Sequence, residues 1–249
     1  MTHAVYPSLA GKTVVITGGG SGIGEVIVEG FVRQKSKVFF LDIAEDESKA
    51  LVARLGDVTY IRCDVTDTQA LKNALADVER KAGPVAVLVN NAANDDRHKV
   101  EEVTPDYWEQ RIAVNLRHLF FASQAVVPGM KKSGGGSIIN LGSVSWHTAI
   151  PELTLYETAK AGIEGMTRAM ARDLGTDNIR VNCVVPGAIR TPRQMKLWHT
   201  PDEEAKILAQ QCLKQRVDPV HVAAMVLFLA SSDAAMCTAH NYWVDGGYC

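Results

Sequence analysis

The sequence predicts an α/β fold, a doubly wound parallel sheet of seven strands with helices on both faces. Seven short apolar runs rich in β-branched residues alternate with about six segments of helical periodicity. The first run leads into a glycine-rich turn and then a helix, the order expected of a phosphate-binding unit. No linker, repeat or low-complexity tract divides the chain. We therefore expect a single domain over residues 1–249, with a short arm at 1–11.

Composition and charge exclude several classes of protein. Of the 249 residues, 47% are hydrophobic and 22% are charged, as is usual for a globular α/β domain. A net charge of −2 and a pI near 6.4 argue against a nucleic acid or a membrane surface as the partner. The five scattered cysteines form no CxxC pair, so neither a disulfide framework nor a metal site is expected. Without a secretory signal in residues 1–10, the expected location is the cytoplasm.

The first unit has the form of a phosphate-binding loop. Lys12–Thr17 is a short β-branched run that predicts a buried strand, and a helix is expected to follow as far as about Gln34. Between them lie Gly18, Gly22 and Gly24, which let the backbone approach a pyrophosphate closely. The first turn of the helix offers free N–H groups and the positive end of the dipole. The alternative is a merely flexible glycine loop.

The second strand, Lys37–Leu41, ends at Asp42. A carboxylate at this position is placed to accept hydrogen bonds from the ribose hydroxyls of an adenosine, and it would repel a 2′-phosphate. No Arg or Lys stands at positions 19–21 or 43 to bind such a phosphate. The sequence therefore favours NAD over NADP. Asp42 could also cap the helix expected at 45–55.

The next two strands are expected at Val58–Arg62 and Val85–Val89. Asp64 follows the first of them, where it contacts the adenine amino group or caps the following helix. The small residues of Asn90–Ala93 follow the second and let the backbone lie against the cofactor ribose. The polar run Asn94–Lys99 is either a solvated loop or a set of groups for a polar substrate.

A long helical pattern covers residues 104–132 and contains Asn115. Because asparagine competes for backbone hydrogen bonds, it is a poor residue inside a helix, and here it either faces solvent or has a function. Pro128 is expected to kink or end this helix. The fifth strand is predicted at Ser137–Leu141, and a loop follows it.

Tyr156 and Lys160 lie four residues apart at the start of a helix that runs to about Leu174, so they share one face. A lysine charge within about 6 Å favours the phenolate and lowers the pKa of a tyrosine. The hydroxyl of Ser143 could hold a substrate oxygen beside the phenol. This arrangement predicts proton transfer with Tyr156 as general acid and base. The alternative is a solvated helix face on which the pair has no function.

The C-terminal part completes the alternation. A sixth strand is expected at Arg180–Val185, a helix at Pro219–Ala230 and a last short strand at Asn241–Val244. Residues 190–215 are irregular and then helical, which indicates a lid over the site or a plain surface helix. The large side chains of this segment that could serve a lid are Met195, Leu197, Trp198 and His199.

These motifs together resemble the short-chain dehydrogenase/reductase family over nearly the whole chain. Thr17–Gly24 matches its TGxxxGxG loop, Pro186–Thr191 its PGxxxT segment, and Asn90–Ala93 its NNAG motif with Ala93 in place of glycine. The resemblance implies a Rossmann-type fold, a homotetramer built through the helices at about 104–132 and 156–174, and a catalytic tetrad in which Asn115 holds a water linked to Lys160. The tetrad it implies is Asn115, Ser143, Tyr156 and Lys160. The residues it assigns to NAD are Gly18, Ser21, Gly22, Ile23, Gly24, Asp42, Asp64, Val65, Asn91, Ala92, Tyr156, Lys160, Pro186, Gly187, Ile189 and Thr191.

A closer similarity is to the bacterial sugar-oxidising members of that family. It is carried by Asn94–Lys99, Val114–His118, Ser145–His147, Tyr156–Arg168 and Ala209–Lys214. It implies oxidation of an aldose at C1 to the lactone, with D-xylose as the first choice and L-arabinose or D-galactose still open. The candidates for the sugar are Asn94, Asp95, Ser143, Ser145, Trp146, His147, Tyr156 and Gln194. Trp146 could instead serve core packing or an interface.

Two other functions remain open at this stage. A reductase for 3-oxoacyl, steroid or other apolar carbonyls would need an apolar pocket around 94–99 and 145–152. The polar residues of those segments argue against it. A non-catalytic dinucleotide-binding protein would be expected to have a broken tetrad, whereas all four residues are present.

Overall fold

The computed structural model describes residues 4–198 and 200–248, so His199 and Cys249 lie outside the described residues. Its strands form one parallel, seven-stranded sheet in the order β3-β2-β1-β4-β5-β6-β7. This confirms the predicted sheet. The strands are β1 Thr13–Thr17, β2 Lys37–Asp42, β3 Val58–Arg62, β4 Val87–Asn90, β5 Gly136–Leu141, β6 Ile179–Pro186 and β7 Asn241–Val244.

Helices connect the strands and cover both faces of the sheet, as the sequence predicts. Within the described part of the chain, none of them has the length and apolar character needed to cross a bilayer. The helices are α1 Gly22–Arg33, α2 Glu45–Leu55, α3 Thr68–Ala82, α4 Pro105–Ile112, α5 His118–Lys132, α6 Ser145–Thr148, α7 Thr154–Leu174, α8 Pro192–Leu197, α9 Pro201–Gln210 and α10 Pro219–Ala230.

The central strand β1 shows why the strands are continuously apolar. Successive side chains point to opposite faces of a sheet, and both faces are covered here. Val14 and Ile16 pack with Phe31 of α1 and with α10, whereas Val15 packs on the other face with Leu75 of α3 and with α5. Each fully buried side chain of this size contributes about 1.5–3 kcal/mol. The two packed layers hold the C-terminal ends of the strands in fixed positions.

The single helix predicted over 104–132 is divided in the structure. α4 ends at Ile112, a π-helical turn covers Ala113–Arg117, and α5 then begins at His118. Such a turn inserts one extra residue into the helical register and is frequent at functional sites. Asn115 lies within this turn and is fully buried, so it does not face solvent.

Pro128 does not end the helix, because α5 continues through it to Lys132. A proline removes one intrahelical hydrogen bond. Val126 and Met130 flank it, and both are completely buried against the sheet. Their packing keeps the helix intact, which is a tertiary effect that local propensity does not reveal.

Candidate active site

The C-terminal ends of the strands surround a cavity of about 1150 Å³. β1 and β4 are neighbours in the sheet although they are not consecutive in the chain. In open α/β sheets, the crevice for ligands opens where the strand order reverses in this way. Every residue that the sequence analysis assigned to the cofactor lines this cavity, and so do Ser143, Tyr156 and Lys160.

The glycine-rich turn forms one end of the cavity. Gly18 anchors it, because its N–H donates to the Leu41 carbonyl at 2.7 Å. Gly22, the first residue of α1, has a φ of +61°, a left-handed conformation that favours glycine. Ser21 precedes the helix without a side-chain capping bond, so the first turn of α1 presents backbone N–H groups to the cavity. This end suits a pyrophosphate.

Asp42 lies at the carboxyl end of β2. Its Oδ2 accepts the N–H of Gly20 at 2.8 Å, and its Oδ1 accepts the N–H of Ala44 at 2.9 Å. It does not cap α2, because Ala44 occupies the N-cap position, so that alternative is wrong. Arg54 also lines the cavity, but Glu25 and Glu29 pair with it at 2.6 Å and 2.5 Å. These two carboxylates offset its charge.

The Asn90–Ala93 segment is fastened to the glycine turn. The side chain of Asn91 donates to the carbonyls of Thr17 and Gly18 at 3.1 Å and 2.8 Å. Ala93 has a negative φ, so alanine stands in the place of the motif's glycine without left-handed strain. Asp64 holds Thr66, whose N–H and hydroxyl donate to its Oδ1 at 2.9 Å and 2.7 Å. It does not cap the following helix, because Asp67 does.

Tyr156 and Lys160 project from the first two turns of α7, and Ser143 follows β5. Lys160 is 2% exposed, and its Nζ donates to the Leu141 carbonyl at 2.7 Å. The same Nζ lies 5.3 Å from the centre of the Tyr156 ring. The Ser143 hydroxyl hydrogen-bonds with the Tyr156 phenol and also accepts the N–H of Ser145 at 3.1 Å. The structure therefore brings together the three groups that the sequence predicts for proton transfer.

The expected fall in the pKa of Tyr156 is not found. Burial raises the pKa of Tyr156 well above its ordinary value, the Asp95 carboxylate raises it further, and the bond to Ser143 lowers it. Burial also lowers the pKa of Lys160 to about 8, against smaller opposing effects of Cys183 and Asp95. Both shifts have the same cause, since a buried site disfavours the charged form of each group.

Asn115 does not line the cavity but supports its wall. Its Oδ1 accepts the N–H of Asn94 at 2.8 Å, and its Nδ2 donates to the carbonyl of the same residue at 3.0 Å. A side-chain amide that pairs with both backbone groups of one residue fixes that residue's position. The π-helical turn places Asn115 opposite Asn94, so the Asn115 amide holds the polar loop.

The predicted sugar contacts divide into two groups. Asn94, Asp95, Ser145 and Gln194 line the cavity. Asp95 accepts from the Gln194 side chain at 2.6 Å through Oδ2. These groups surround the Tyr156 end of the cavity with hydrogen-bond donors and acceptors.

Trp146 and His147 do not line the cavity, so the structure does not bring them together with the other candidates for the sugar. Trp146 Nε1 donates to Glu164 Oε1 at 2.9 Å, and His147 Nε2 lies 3.0 Å from the same atom. Their rings stack with centroids 3.6 Å apart, and Trp243 packs on His147. Glu164 is 8% exposed, and a buried carboxylate requires such donors. Trp146 is half-buried and is held by these polar and aromatic contacts.

The segment proposed as a lid forms one wall of the cavity. The sequence analysis missed Arg193, which donates to Asp95 Oδ1 at 3.4 Å and to Asp96 Oδ1 at 2.8 Å. It thereby joins α8 to the polar loop. Trp198 also lines the cavity, and the Arg97 guanidinium lies 4.2 Å from the centre of its ring. One feature of the sequence could have identified Arg193: it stands next to Gln194, in a segment that was expected to approach the site.

A family model described as Enoyl-(Acyl carrier protein) reductase matches residues 18–249. The D-xylose 1-dehydrogenase of Caulobacter vibrioides is 59% identical over 252 residues, which cover 100% of both chains. The chain belongs to the short-chain dehydrogenase/reductase family. A Rhizobium meliloti protein named "Probable galactose dehydrogenase GalD" is 45% identical to this chain. The match covers 97% of this chain and 96% of GalD.

A solved structure shares the fold of this short-chain dehydrogenase/reductase. The ligand-free aldohexose dehydrogenase AldT of Thermoplasma acidophilum superposes with a TM-score of 0.87 at 32% identity. The match covers 98% of this chain and 96% of AldT. The protein is therefore a dehydrogenase of this family, and membership implies a nicotinamide cofactor.

Proposed function

We propose that this dehydrogenase oxidises the C1 hydroxyl of an aldose to the lactone with NAD, and that D-xylose is the first candidate. The observation that carries the proposal is the polar wall around Tyr156, formed by Asn94, Asp95 and Gln194. A polyhydroxylated substrate can use the hydrogen-bonding capacity that these groups still present to the cavity, whereas an acyl chain or a steroid would cover them with apolar surface at a cost in desolvation. The 59% identity to a D-xylose 1-dehydrogenase supports the choice of sugar.

Asp42 supports NAD as the cofactor rather than NADP. Its carboxylate is held at the end of β2 by the N–H groups of Gly20 and Ala44. Ribose hydroxyls can donate to a carboxylate, but a 2′-phosphate would meet a like charge. Arg54, the cation on this part of the wall, is paired with Glu25 and Glu29 and so offers a phosphate little net attraction.

In the proposed mechanism Tyr156 accepts the proton of the C1 hydroxyl, and Ser143 holds the oxygen of that hydroxyl. The nicotinamide, when bound, supplies the hydride acceptor. Because burial raises the pKa of Tyr156, its phenolate needs a nearby positive charge. Lys160 Nζ, 5.3 Å from the ring centre, is the group that we assign to this role. Asn115 completes the tetrad by fixing Asn94 next to the substrate.

D-galactose is the second candidate, favoured by the 45% identity to the Rhizobium meliloti protein. Both sugars present a C1 hydroxyl, so the two candidates share one mechanism. They differ in the length of the sugar and in the groups that the far end of the cavity must accept.

The deciding assay measures the absorbance of NADH formed from NAD and a panel of aldoses, with short-chain and apolar alcohols beside them. We expect the highest kcat/KM for D-xylose and weak turnover of the apolar alcohols. Tyr156→Phe is the control for contaminating activity, and it should lose at least about a hundredfold in kcat. Preference for another sugar would change the substrate alone. Activity confined to apolar alcohols would refute the proposal.

We also propose a cytoplasmic homotetramer that forms through α4, α5 and α7. Trp108 of α4 and Phe120 of α5 are 43% and 44% exposed, so both helices present a large aromatic side chain to solvent. Burial against another copy would remove this surface from water. Light scattering should give a mass close to four times the 27.0 kDa of one chain, and a mass of one chain would refute the assembly.

A further inference from the structure

The N-terminus of α7 carries Tyr156, yet its own sequence provides no cap. Leu153 occupies the N-cap position without a side-chain hydrogen bond. The turn before it contains Ala149 and Glu152 with φ values of +51° and +64°. Non-glycine residues in this conformation are strained, so the turn does not by itself fix where the helix begins. The position of the first turn must depend on contacts with a neighbouring segment.

His98, in the polar loop, provides that contact. Its Nε2 accepts the N–H of Leu155, the residue immediately before Tyr156, at 3.3 Å. The backbone N–H of His98 donates to the Glu152 carbonyl at 2.9 Å. The ring also packs edge-on against Tyr107 of α4, with ring centroids 5.5 Å apart. His98 therefore joins the polar loop, α4 and the start of α7.

His98 itself does not line the cavity, so it is not expected to touch the substrate. We propose that His98 is a positioning residue, which sets the place of Tyr156 by capping α7 and does so only as a neutral imidazole. An imidazole nitrogen that accepts an N–H must carry a lone pair, which puts the proton on Nδ1. Nδ1 lies 3.5 Å from the Asp96 carbonyl, an acceptor for that proton.

Protonation of His98 would remove the cap. The imidazolium would point an N–H at the N–H of Leu155 and would place a positive charge at the positive end of the helix dipole. Both effects push the first turn of α7 away from the loop. The rate of the reaction should therefore fall in acid because Tyr156 is displaced, and this effect is separate from any titration of Tyr156 or Lys160.

Several charged or titratable groups surround His98 and could modify this effect. Asp96 is the carboxylate nearest to His98 in the sequence. Arg193 and Arg111 pair with it at 2.8 Å and 3.3 Å, so its charge is largely offset. Glu157 of α7 uses its Oε1 to accept the N–H of Ile150 at 2.8 Å. The groups to consider from the loop, α4, α8 and the start of α7 are Asp96, Arg97, Lys99, Tyr107, Arg111, Arg193, Glu152 and Glu157.

The chain offers a matched control for this test. His221 also accepts a backbone N–H at the start of a helix, because its Nδ1 takes the N–H of Asp218 before α10 at 2.9 Å. α10 carries no residue of the proposed tetrad. His98→Gln and His221→Gln both replace an imidazole with an amide oxygen that accepts hydrogen bonds without titrating. Only the first should change the behaviour of α7.

The first measurement is hydrogen exchange of the peptide over residues 150–160 in the full-length protein, at about pH 8 and about pH 5.5. After correction for intrinsic rates, protection of this peptide should fall about tenfold in acid for the unmodified protein and for His221→Gln. It should stay within about twofold for His98→Gln. An equal fall in His98→Gln, or no fall in the unmodified protein, would overturn the proposal.

The second measurement is kcat with NAD and D-xylose over the same pH range, and it alone rests on the proposed function. His98→Ala should lose about tenfold in kcat at pH 8 with unchanged affinity for NAD. His98→Gln should recover most of this loss and show a weaker decline in acid than the unmodified enzyme. Parallel pH profiles would contradict the positioning role. Absence of sugar oxidation in the unmodified protein would refute the proposed function and leave the exchange result to decide this inference.

Discussion

Replacement of Asp95 by asparagine tests whether this carboxylate recognises the sugar. Asp95 lines the cavity and is 23% exposed, and its Oδ2 accepts the Gln194 amide at 2.6 Å. A hydrogen bond to a charged group contributes about 1.5–3 kcal/mol, and partial exposure favours the lower value. The sugar KM of Asp95→Asn should therefore rise about tenfold, which corresponds to about 1.4 kcal/mol.

The same substitution should also change the pH dependence of kcat. The Asp95 carboxylate is the second contribution, after burial, that raises the pKa of Tyr156. Removing the charge lowers that pKa, so kcat should reach its plateau at a lower pH than in the unmodified enzyme. Steady-state rates with D-xylose, measured across pH at saturating NAD, give KM and the acid limb of kcat from one experiment.

Asp96→Asn is the matched control, because it weakens the link to α8 without changing the cavity wall. Asp96 does not line the cavity, although Arg193 donates to it at 2.8 Å. We expect its sugar KM to stay within about threefold of the original. If both variants raised KM equally, the effect would come from release of α8 and not from sugar recognition. An unchanged KM in Asp95→Asn would refute the reasoning altogether.

Three further predictions concern other parts of the site. Asp42→Ala should lower the preference for NAD over NADP by about tenfold in kcat/KM, because a carboxylate that repels the 2′-phosphate is lost. Trp146→Phe should leave the sugar KM unchanged but lower Tm by about 5 °C, because buried Glu164 loses a donor; thermal unfolding measures this. In the unmodified protein the free energy of unfolding should rise with pH, and Lys160→Met should abolish this rise. The pKa of Lys160 is lowered to about 8 in the folded protein, so the unfolded chain binds more protons between pH 8 and 10.5. In that window the unmodified protein should gain about 3 kcal/mol over the variant in urea unfolding.

The sheet could be predicted from the sequence because a strand that is covered on both faces has a continuous run of apolar residues. Val14, Val15 and Ile16 form a continuous apolar run for that reason, and the inner strands β2, β4, β5 and β6 are likewise buried almost throughout. Once the strands are parallel, their carboxyl ends meet at one edge. Loops after β1, β2, β4, β5 and β6 are then brought to a common cavity, which places Ser143 near Tyr156 without knowledge of any side-chain contact.

The direction of individual side chains could not be predicted in the same way. Trp146 and His147 stand next to Ser145, which lines the cavity, yet both contact a buried carboxylate on α7 and do not line the cavity. That carboxylate, Glu164, lies 17 residues beyond His147 in the chain. A contact of this kind depends on how α6 packs on α7 and leaves no local pattern. The π-helical turn around Asn115 is hidden for a related reason, since the pattern over 104–132 differs from a continuous helix by one inserted residue.

The electrostatics of the site follow from burial more than from the pairing of Tyr156 with Lys160. Their spacing on α7 was correctly interpreted as a shared face, but a short distance in a buried site does not guarantee a lower pKa for the phenol. Burial favours the neutral form of both groups, so the buried site opposes the pair that the mechanism uses, a phenolate beside an ammonium. The proton transfer that we propose therefore requires precise placement of Tyr156 relative to Lys160 and Ser143. This requirement gives a physical reason for the supports that the structure provides from outside the cavity, Asn115 beneath Asn94 and His98 at the start of α7.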